Sequence, residues 1–145
     1  MEYRELTKRE LTPEHVRRIR ALLGQIPTGP RTLVSKKWLT TLLESGTLVL
    51  GAFHNGRLVG VAMLCLAVLQ TGNRAWIQDI VEDVDCRRNG ILAGLLELAE
   101  EKSRGVKAES IHLTASIDDF ELRRVCERLE YYRVVTIAFK KKLFS

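Results

Sequence analysis

A chain of 145 residues is long enough to form one domain with its own hydrophobic core. With 46% hydrophobic and 28% charged residues, the composition is that of a globular protein and excludes a disordered or fibrous one. No apolar run approaches the roughly 20 residues that span a membrane, and the amino terminus lacks the apolar segment of a secretory signal. We therefore expect a cytoplasmic protein, whose net charge of +5 favours anionic ligands.

The first fifty residues predict a short strand and two helices. A strand is expected over residues 3–6, and Thr12-Pro13-Glu14 then reads as an N-cap, a first-turn proline and an early acid, which together begin a helix. That helix ends at Gly24. The segment Pro27–Arg31 is rich in helix-breaking residues and predicts a loop, and the apolar spacing predicts a second helix over 36–44.

The middle of the sequence predicts three consecutive strands. The first covers residues 47–53, and His54-Asn55-Gly56-Arg57 is a hairpin turn with Asn-Gly at its centre. The return strand, 58–69, is almost continuously apolar, so we expect it at the centre of a sheet with both faces covered. The third strand is expected over 75–82.

The last third alternates helices and strands. A helix is expected from Gly90 to about residue 103, a strand over 110–115, a helix over 121–129 and one or two final strands over 132–143. Early hairpins followed by crossover connections predict a single-domain α/β fold over residues 1–145. Its sheet should be mixed, mostly antiparallel, and covered by helices on both faces.

The cysteines argue against a disulfide framework and a metal site, and the basic residues argue against a nucleic-acid interface. Cys65, Cys86 and Cys126 are odd in number and no two have the spacing of metal ligands, so we expect neither a disulfide framework nor a metal site. The basic residues are scattered, and the densest run, Lys140–Lys142, has no interleaved aromatics. This pattern disfavours a nucleic-acid partner, and we interpret the run as a charged guard on an edge strand.

The junction between the third strand of the meander and the next helix is the most informative part of the sequence. A β-branched run leads into a turn that carries two arginines, an asparagine and a glycine, residues 87–90, and a helix follows at once. Such a junction directs unpaired backbone N–H groups and the positive end of the helix dipole at one point, which suits a phosphate or diphosphate. An ordinary strand-to-helix connection fits the same residues.

At this junction the sequence resembles the GNAT superfamily of acetyl-CoA-dependent N-acetyltransferases. The phosphate-loop pattern of that family is Arg or Gln, two residues, Gly, one residue, then Gly or Ala, and it stands here as Arg87-Arg88-Asn89-Gly90-Ile91-Leu92. The preceding Ile77-Gln78-Asp79-Ile80-Val81 is similar to the Ile-Glu-Asp-Val-Val of many small-molecule acetyltransferases. Asp119 has the spacing at which the family commonly places an asparagine.

The resemblance implies a site for acetyl-CoA as co-substrate. In relatives the strand before the loop splays from its neighbour and bonds the pantetheine arm through freed backbone groups, while loop amides hold the diphosphate. At the matching positions of this sequence, the resemblance implies that Val81, Glu82 and Asp83 contact the pantetheine. The remaining cofactor-binding residues are Arg87, Arg88, Asn89, Gly90, Ile91, Leu92, Ala93 and Asp119.

Three departures from the family pattern bear on cofactor binding and catalysis. Leu92 stands where a small residue is usual, and its side chain can point toward the sheet or crowd the diphosphate. Gln78 replaces a common acid. Cys126 replaces a tyrosine that, in relatives, is proposed to protonate the departing thiolate; a thiol can donate that proton, or it can be a small buried hydrophobe.

Transfer to an amine also needs a group that takes up a proton. An amine with a pKa near ~10 is mostly protonated at neutral pH, so a base or a water chain should deprotonate it. Asp79 and Glu82 are the nearest carboxylates, and strand alternation places them on opposite faces. We predict Asp79 as the base, with the capping of a loop amide as its alternative, and we interpret His112 and Trp76 as structural residues.

Three functions of different classes follow. The favoured one is an N-acetyltransferase that moves the acetyl group of acetyl-CoA to a primary amine of a small molecule or peptide. The second, supported by the departures at Gln78, Leu92 and Cys126, is a module that binds CoA or a protein partner without turnover. The third, a nucleic-acid accessory domain, has only the charge in its favour. The resemblance also allows a homodimer in which the final strand pairs between subunits.

Overall fold

The computed structural model describes residues 1–27, 33–87 and 89–144, and within them five strands and four α-helices form the fold. The strands are β1 (Glu2–Leu6), β2 (Leu48–His54), β3 (Arg57–Ala67), β4 (Arg74–Glu82) and β5 (Ser110–Leu113). The helices are α1 (Pro13–Leu23), α2 (Lys36–Glu44), α3 (Ile91–Gly105) and α4 (Phe120–Arg128). Short 3-10 turns cover Lys8–Glu10 and Val84–Cys86.

The strands lie in the sheet in the order β1-β2-β3-β4-β5. The first four are antiparallel to their neighbours, and β5 is parallel to β4. The prediction of a mixed, mostly antiparallel sheet is confirmed, and the long apolar strand lies at its centre as expected. The β2–β3 turn also matches its prediction, since Asn55 and Gly56 both have positive φ, at 50° and 79°, as a tight two-residue hairpin turn requires.

Two cores lie on the two faces of the sheet. Helices α1 and α2 pack on one face, hereafter the α1/α2 face, and α3 and α4 pack on the other, the α3/α4 face. The central strand contributes to both, because Val61 and Met63 point to the first face while Ala62 and Leu64 point to the second. This double burial explains why the strand is almost uninterrupted in apolar residues.

The carboxy-terminal segment, residues 132–144, is not a strand, so the prediction of final strands over 132–143 is wrong. Its apolar side chains are open to solvent: Val135 is 100% exposed, Phe139 93% and Ile137 82%. Alternating apolar residues favour the extended backbone, but a strand also needs a neighbour to bond, and this segment has none within the described chain. The interpretation of Lys140–Lys142 as a guard on an edge strand is wrong for the same reason.

Two further expectations concern segment limits. The predicted strand over 110–115 stops at Leu113, and residues 114–120 are exposed. Of the predicted loop Pro27–Arg31, only Pro27 is described, in a turn; the rest lies outside the described residues.

No helix in the described part of the chain is both long enough and apolar enough to cross a membrane.

Candidate functional site

Strands β4 and β5 separate halfway along β4. They pair only from Arg74 with Ser110 to Ile77 with Leu113. Strand β4 then continues to Glu82, while the chain after Leu113 leaves the sheet. The second half of β4 therefore has an edge without a partner strand in the described chain, and we call it the open edge.

Alternation along the ladder decides which backbone groups face the open edge. The N–H of Asp83 donates to the carbonyl oxygen of Val59 at 2.8 Å, so Asp83 and, two residues earlier, Val81 direct their backbone groups toward β3. Ile80 and Glu82 direct theirs outward. Of the three residues assigned to the pantetheine, only Glu82 thus has its backbone on the open edge.

A side chain already bonds this edge. The Nε2 of Gln25 donates to the carbonyl oxygen of Glu82 at 2.7 Å, and its Oε1 accepts from the N–H of Val84 at 3.3 Å. The carboxamide offers the same donor and acceptor as a peptide group, so it takes the place of a strand partner. The sequence analysis missed Gln25, because nothing in its local pattern indicates a contact 57 residues away.

A β-bulge sits at the point where the two strands part. Leu64 pairs with Ile77 and Met63 pairs with Asp79, which leaves Gln78 as the extra residue. A bulge bends its strand and increases the local twist. Asp79, opposite Met63, lies on the α1/α2 face, whereas Glu82 lines a pocket beside α3 and α4. The prediction that the two carboxylates lie on opposite faces is therefore confirmed.

The amino terminus of α3 is uncapped. Gly90, its N-cap, has φ of +73° and has no side chain to bond the first amides. The first intrahelical bond runs from Gly94 N–H to Gly90 O at 3.0 Å, so the N–H groups of residues 91–93 have no helical partner. The Tyr3 hydroxyl donates to the same Gly90 carbonyl at 3.2 Å and anchors this end of the helix to β1.

A pocket of about 290 Å³ opens beside this helix end. Strand β4, the start of α3 and one side of α4 form its walls. The lining residues are Glu82, Gly90, Ile91, Leu92, Ala93, Glu121, Arg124, Val125 and Arg128. Five of them were assigned to the cofactor from sequence. Arg124 and Arg128 were missed, although their spacing of four residues within a predicted helix puts both on one face.

The pocket holds a carboxyl group that titrates near neutrality. The pKa of Glu82 is raised from 4.5 to about 7, mainly by burial and also by the charges of Glu121 and Asp119, while Arg87 acts to lower it. The residue as a whole is only 9% exposed. The charge of the pocket therefore changes between pH 6 and 8, and so must its affinity for an anion. On the other face, burial raises the pKa of Asp79 as well.

Leu92 points into the core. It is 7% exposed and packs with Leu95 and Leu96 on the α3/α4 face. Of the two orientations left open by the sequence, the structure thus has the one that turns the side chain toward the sheet. The start of α3 still lines the pocket in spite of the larger residue, and Leu92 itself is one of the lining residues.

The other assigned residues have varied surroundings. Asp119 caps α4, since its Oδ1 accepts from the Leu122 N–H at 3.1 Å, and the Asp83 carboxylate accepts from Arg18 at 2.6 Å. Cys126 is half-buried in the α3/α4 core and is not among the described residues that line the pocket. Burial, Asp119 and Glu127 raise the pKa of its thiol. Arg87 and Asn89 are exposed, and Arg88 lies outside the described residues.

Comparisons with known proteins concern the family and the fold. A family model described as the acetyltransferase (GNAT) family matches residues 13–131. Among curated proteins, none matches the chain in sequence. Among solved structures, an aminoglycoside acetyltransferase, meta-AAC0020, from an uncultured soil metagenomic sample in complex with trehalose superposes with a TM-score of 0.84 at 19% identity, covering 99% of this chain and 96% of its own.

Two further structures share the fold. The aminoglycoside N-acetyltransferase AAC(6')-Iy in complex with CoA has a TM-score of 0.80 at 14% identity, with 99% of this chain and 95% of that one covered. A ribosomal-protein-alanine N-acetyltransferase from Brucella melitensis biovar Abortus 2308 has a TM-score of 0.71 at 19% identity, with 96% and 100% covered. At these identities the likeness concerns the fold.

Proposed function

Because the chain belongs to the acetyltransferase (GNAT) family, we propose that it transfers the acetyl group of acetyl-CoA to a primary amine of a small molecule or peptide. The observation that carries this proposal is the uncapped start of α3 at the wall of a pocket, next to the open edge of β4. These two features suit the two halves of CoA, an anionic diphosphate and an extended arm that contains amides.

The residues present fit a diphosphate. Three N–H groups, those of residues 91–93, have no helical partner, and the helix dipole favours an anion there. Arg124 and Arg128 line the same pocket and add positive charge. Glu82 and Glu121 oppose it, but Glu82 is largely neutral below its pKa of about 7. Protonated, it donates a hydrogen bond where an ionised carboxylate would repel the ligand.

The open edge fits an extended arm. The outward N–H and C=O groups of Ile80 and Glu82 can form strand-like hydrogen bonds with such an arm. The carboxamide of Gln25 bonds the same edge, which supports the proposal that a ligand amide can bind there. An arm that uses the Glu82 carbonyl must displace that carboxamide.

Asp79 is the proposed base for the amine. It lies on the α1/α2 face, directly after the bulge where the strands part, whereas Glu82 occupies the proposed diphosphate pocket. Burial raises the pKa of Asp79, which makes it a better proton acceptor than an ordinary carboxylate. Cys126, a half-buried thiol on α4 at the position where relatives carry a tyrosine, is the proposed proton donor to the departing thiolate.

Two measurements test this function. A thermal melt with acetyl-CoA at ~100 times its dissociation constant should show about 2.7 kcal/mol of added stability. Release of free thiol from acetyl-CoA should then be followed over aminoglycosides, polyamines and a peptide with amino-terminal alanine. CoA binding without turnover on any of these would favour the non-catalytic module, and no binding at millimolar CoA would refute the cofactor proposal itself.

We also propose that two copies form a homodimer through the carboxy-terminal segment, residues 132–144. The segment has no regular secondary structure, its alternate residues Val135, Ile137 and Phe139 are exposed, and no described strand pairs with the outer edge of β5. An unpaired edge and an unpaired apolar strand former are complementary. If each segment pairs with β5 of the other copy, the apolar side chains of the segment and the outer edge of β5 are both removed from water.

Sedimentation tests this dimer. The wild-type chain should sediment as a dimer at micromolar concentration, and Ile137→Asp should make it a monomer. Thr136→Asp is the matched control, because it adds the same charge on the opposite side of the segment and should leave the dimer intact. A wild-type chain that stays monomeric at 100-fold higher concentration would refute the dimer.

A further inference from the structure

An exposed aromatic pair lies next to the point where β4 and β5 part. Trp76 and His112 are direct neighbours across these two strands, and their rings stack with centroids 4.5 Å apart and an interplanar angle of 22°. Trp76 is 38% exposed, an unusual fraction for a tryptophan in the middle of a sheet. The indole thus stacks on His112 and still keeps more than a third of its surface open to solvent.

The hydrogen bonding of His112 fixes this arrangement. Its Nε2 lies 2.8 Å from the Oγ of Ser110, two residues earlier on the same side of β5. The imidazole is therefore bonded on one side and stacked on Trp76 on the other, which keeps the indole from rotating. A rigid exposed ring loses little entropy when a ligand covers it.

The bulge brings a carboxylate to the same side. Trp76 pairs with Cys65 and Asp79 pairs with Met63, and Cys65 and Met63 are two residues apart on β3. The Trp76 and Asp79 side chains therefore point to the same face, about 7 Å apart along the strand. Without the extra residue Gln78, strand alternation would place residues three apart on opposite faces.

No helix covers this part of the α1/α2 face in the described chain. The core beneath α1 and α2 includes Met63 and Val81 but not Trp76, Cys65 or His112. The aromatic pair thus lies just outside the covered area and Asp79 at its border, where the strands open toward the proposed acetyl-CoA site.

We propose that Trp76, held by His112, and Asp79 form the binding site for the acceptor, and that this acceptor is an amino sugar; this inference rests on the function proposed above. The face of a sugar ring carries C–H groups that pack on an indole, and the electron-rich face of the indole also attracts a neighbouring ammonium. The Asp79 carboxylate pairs with the ammonium group. A linear polyamine has the ammonium groups but no ring to pack on the indole, so it should bind this site less well than an amino sugar.

Tryptophan fluorescence tests the binding apart from catalysis. The chain has two tryptophans, so Trp38→Phe leaves Trp76 as the reporter. Kanamycin, used as the amino-sugar probe without acetyl-CoA, should quench this emission, and Asp79→Asn should weaken the binding at least tenfold. Spermidine should bind at least tenfold more weakly than kanamycin. Equal binding of spermidine would overturn the assignment to amino sugars.

Steady-state kinetics tests the role of the ring. Trp76→Ala should raise the KM for kanamycin at least tenfold and leave the KM for acetyl-CoA unchanged, while Trp76→Phe should restore most of the loss. Phe120→Ala, which removes another exposed aromatic ring, is the control and should change neither constant.

The outcomes separate this inference from the proposed function. Quenching by kanamycin without any thiol release would refute the transfer reaction and leave the amino-sugar site standing. Thiol release with amines that is insensitive to Trp76→Ala would support the transfer reaction and overturn the proposed site.

Discussion

Replacing Glu82 with glutamine should stabilise the protein at alkaline pH and leave its stability at acid pH unchanged. The substitution keeps the shape of the side chain and removes its ionisation. In the folded protein the pKa of Glu82 is raised to about 7 from 4.5, first by burial and then by the neighbouring acids. The fold thus favours the protonated form, so ionisation of Glu82 destabilises the wild-type protein. Glutamine cannot ionise and does not have this effect.

The sign and size follow from linkage. Between the two pKa values the folded chain binds more protons than the unfolded chain, so stability is fully present below 4.5 and declines as the pH rises through about 7. The whole shift corresponds to about 3 kcal/mol. Because the pocket admits water, which screens the charge, we expect about 2 kcal/mol in the measured free energy of unfolding, or about 4–8 °C in Tm for a chain of this length.

Urea unfolding at pH 5 and pH 8 measures this difference. Glu82→Gln should exceed the wild type by about 2 kcal/mol at pH 8 and by much less at pH 5. Glu121→Gln, which neutralises an exposed acid of the same pocket, should show a smaller difference at pH 8. An equal gain for Glu82→Gln at both pH values would refute the argument, because the effect would then come from packing.

The same titration should govern CoA binding. An anion in the pocket favours the protonated carboxyl, so binding should take up a proton near pH 7 and the Kd for CoA should rise between pH 6 and 8. Glu82→Gln should remove most of this pH dependence, as isothermal titration in buffers of different ionisation enthalpy would show. A wild-type Kd that is constant from pH 6 to 8 would place the diphosphate elsewhere.

Three further variants test the geometry of the site. Gly94→Ala should lower the free energy of unfolding in urea by about 1–3 kcal/mol, because the added Cβ would clash with the ring of Tyr3. Gly105→Ala, which has open space around it, should raise that free energy by about 0.5 kcal/mol. Equal effects of the two substitutions would contradict the close contact. Gln25→Ala should lower the Kd for CoA about fivefold, as expected for the loss of about 1 kcal/mol of competing hydrogen bonds, and a raised Kd would show that the carboxamide holds the ligand. Deletion of Gln78 should preserve folding but weaken CoA binding at least tenfold, while Gln78→Ala, which keeps the bulge, should bind CoA like the wild type.

Local sequence signals were sufficient for the helices. Helix α2 spans residues 36–44, as the apolar spacing predicted, and in the structure the Ser35 hydroxyl caps it by accepting from the Trp38 N–H at 3.1 Å. The hairpin at Asn55-Gly56 is equally local. The loop that turns into α3 was found because the glycine, the arginines and the helix that form it are consecutive in the sequence.

Features that depend on distant parts of the chain were not predictable in this way. The bulge at Gln78 arises from the register between β3 and β4, and the contribution of Arg124 and Arg128 depends on how α4 docks beside α3. Residues 132–144 have the alternation of a strand but not the partner that a strand needs. The error there was to infer pairing from propensity, which describes the preference of a segment and not the presence of a neighbour.

The single extra residue at position 78 accounts for two properties of the site together. By bending β4 at the point where β5 ends, the bulge separates the strands and leaves the outward backbone groups of Ile80 and Glu82 without a partner strand in the described chain. By interrupting the alternation, it also places Asp79 beside Trp76 and leaves Glu82 on the opposite face. The proposed proton acceptor for the amine and the carboxyl group of the proposed anion pocket therefore lie in different environments. The sheet itself keeps these two groups apart, so each can titrate according to its own surroundings.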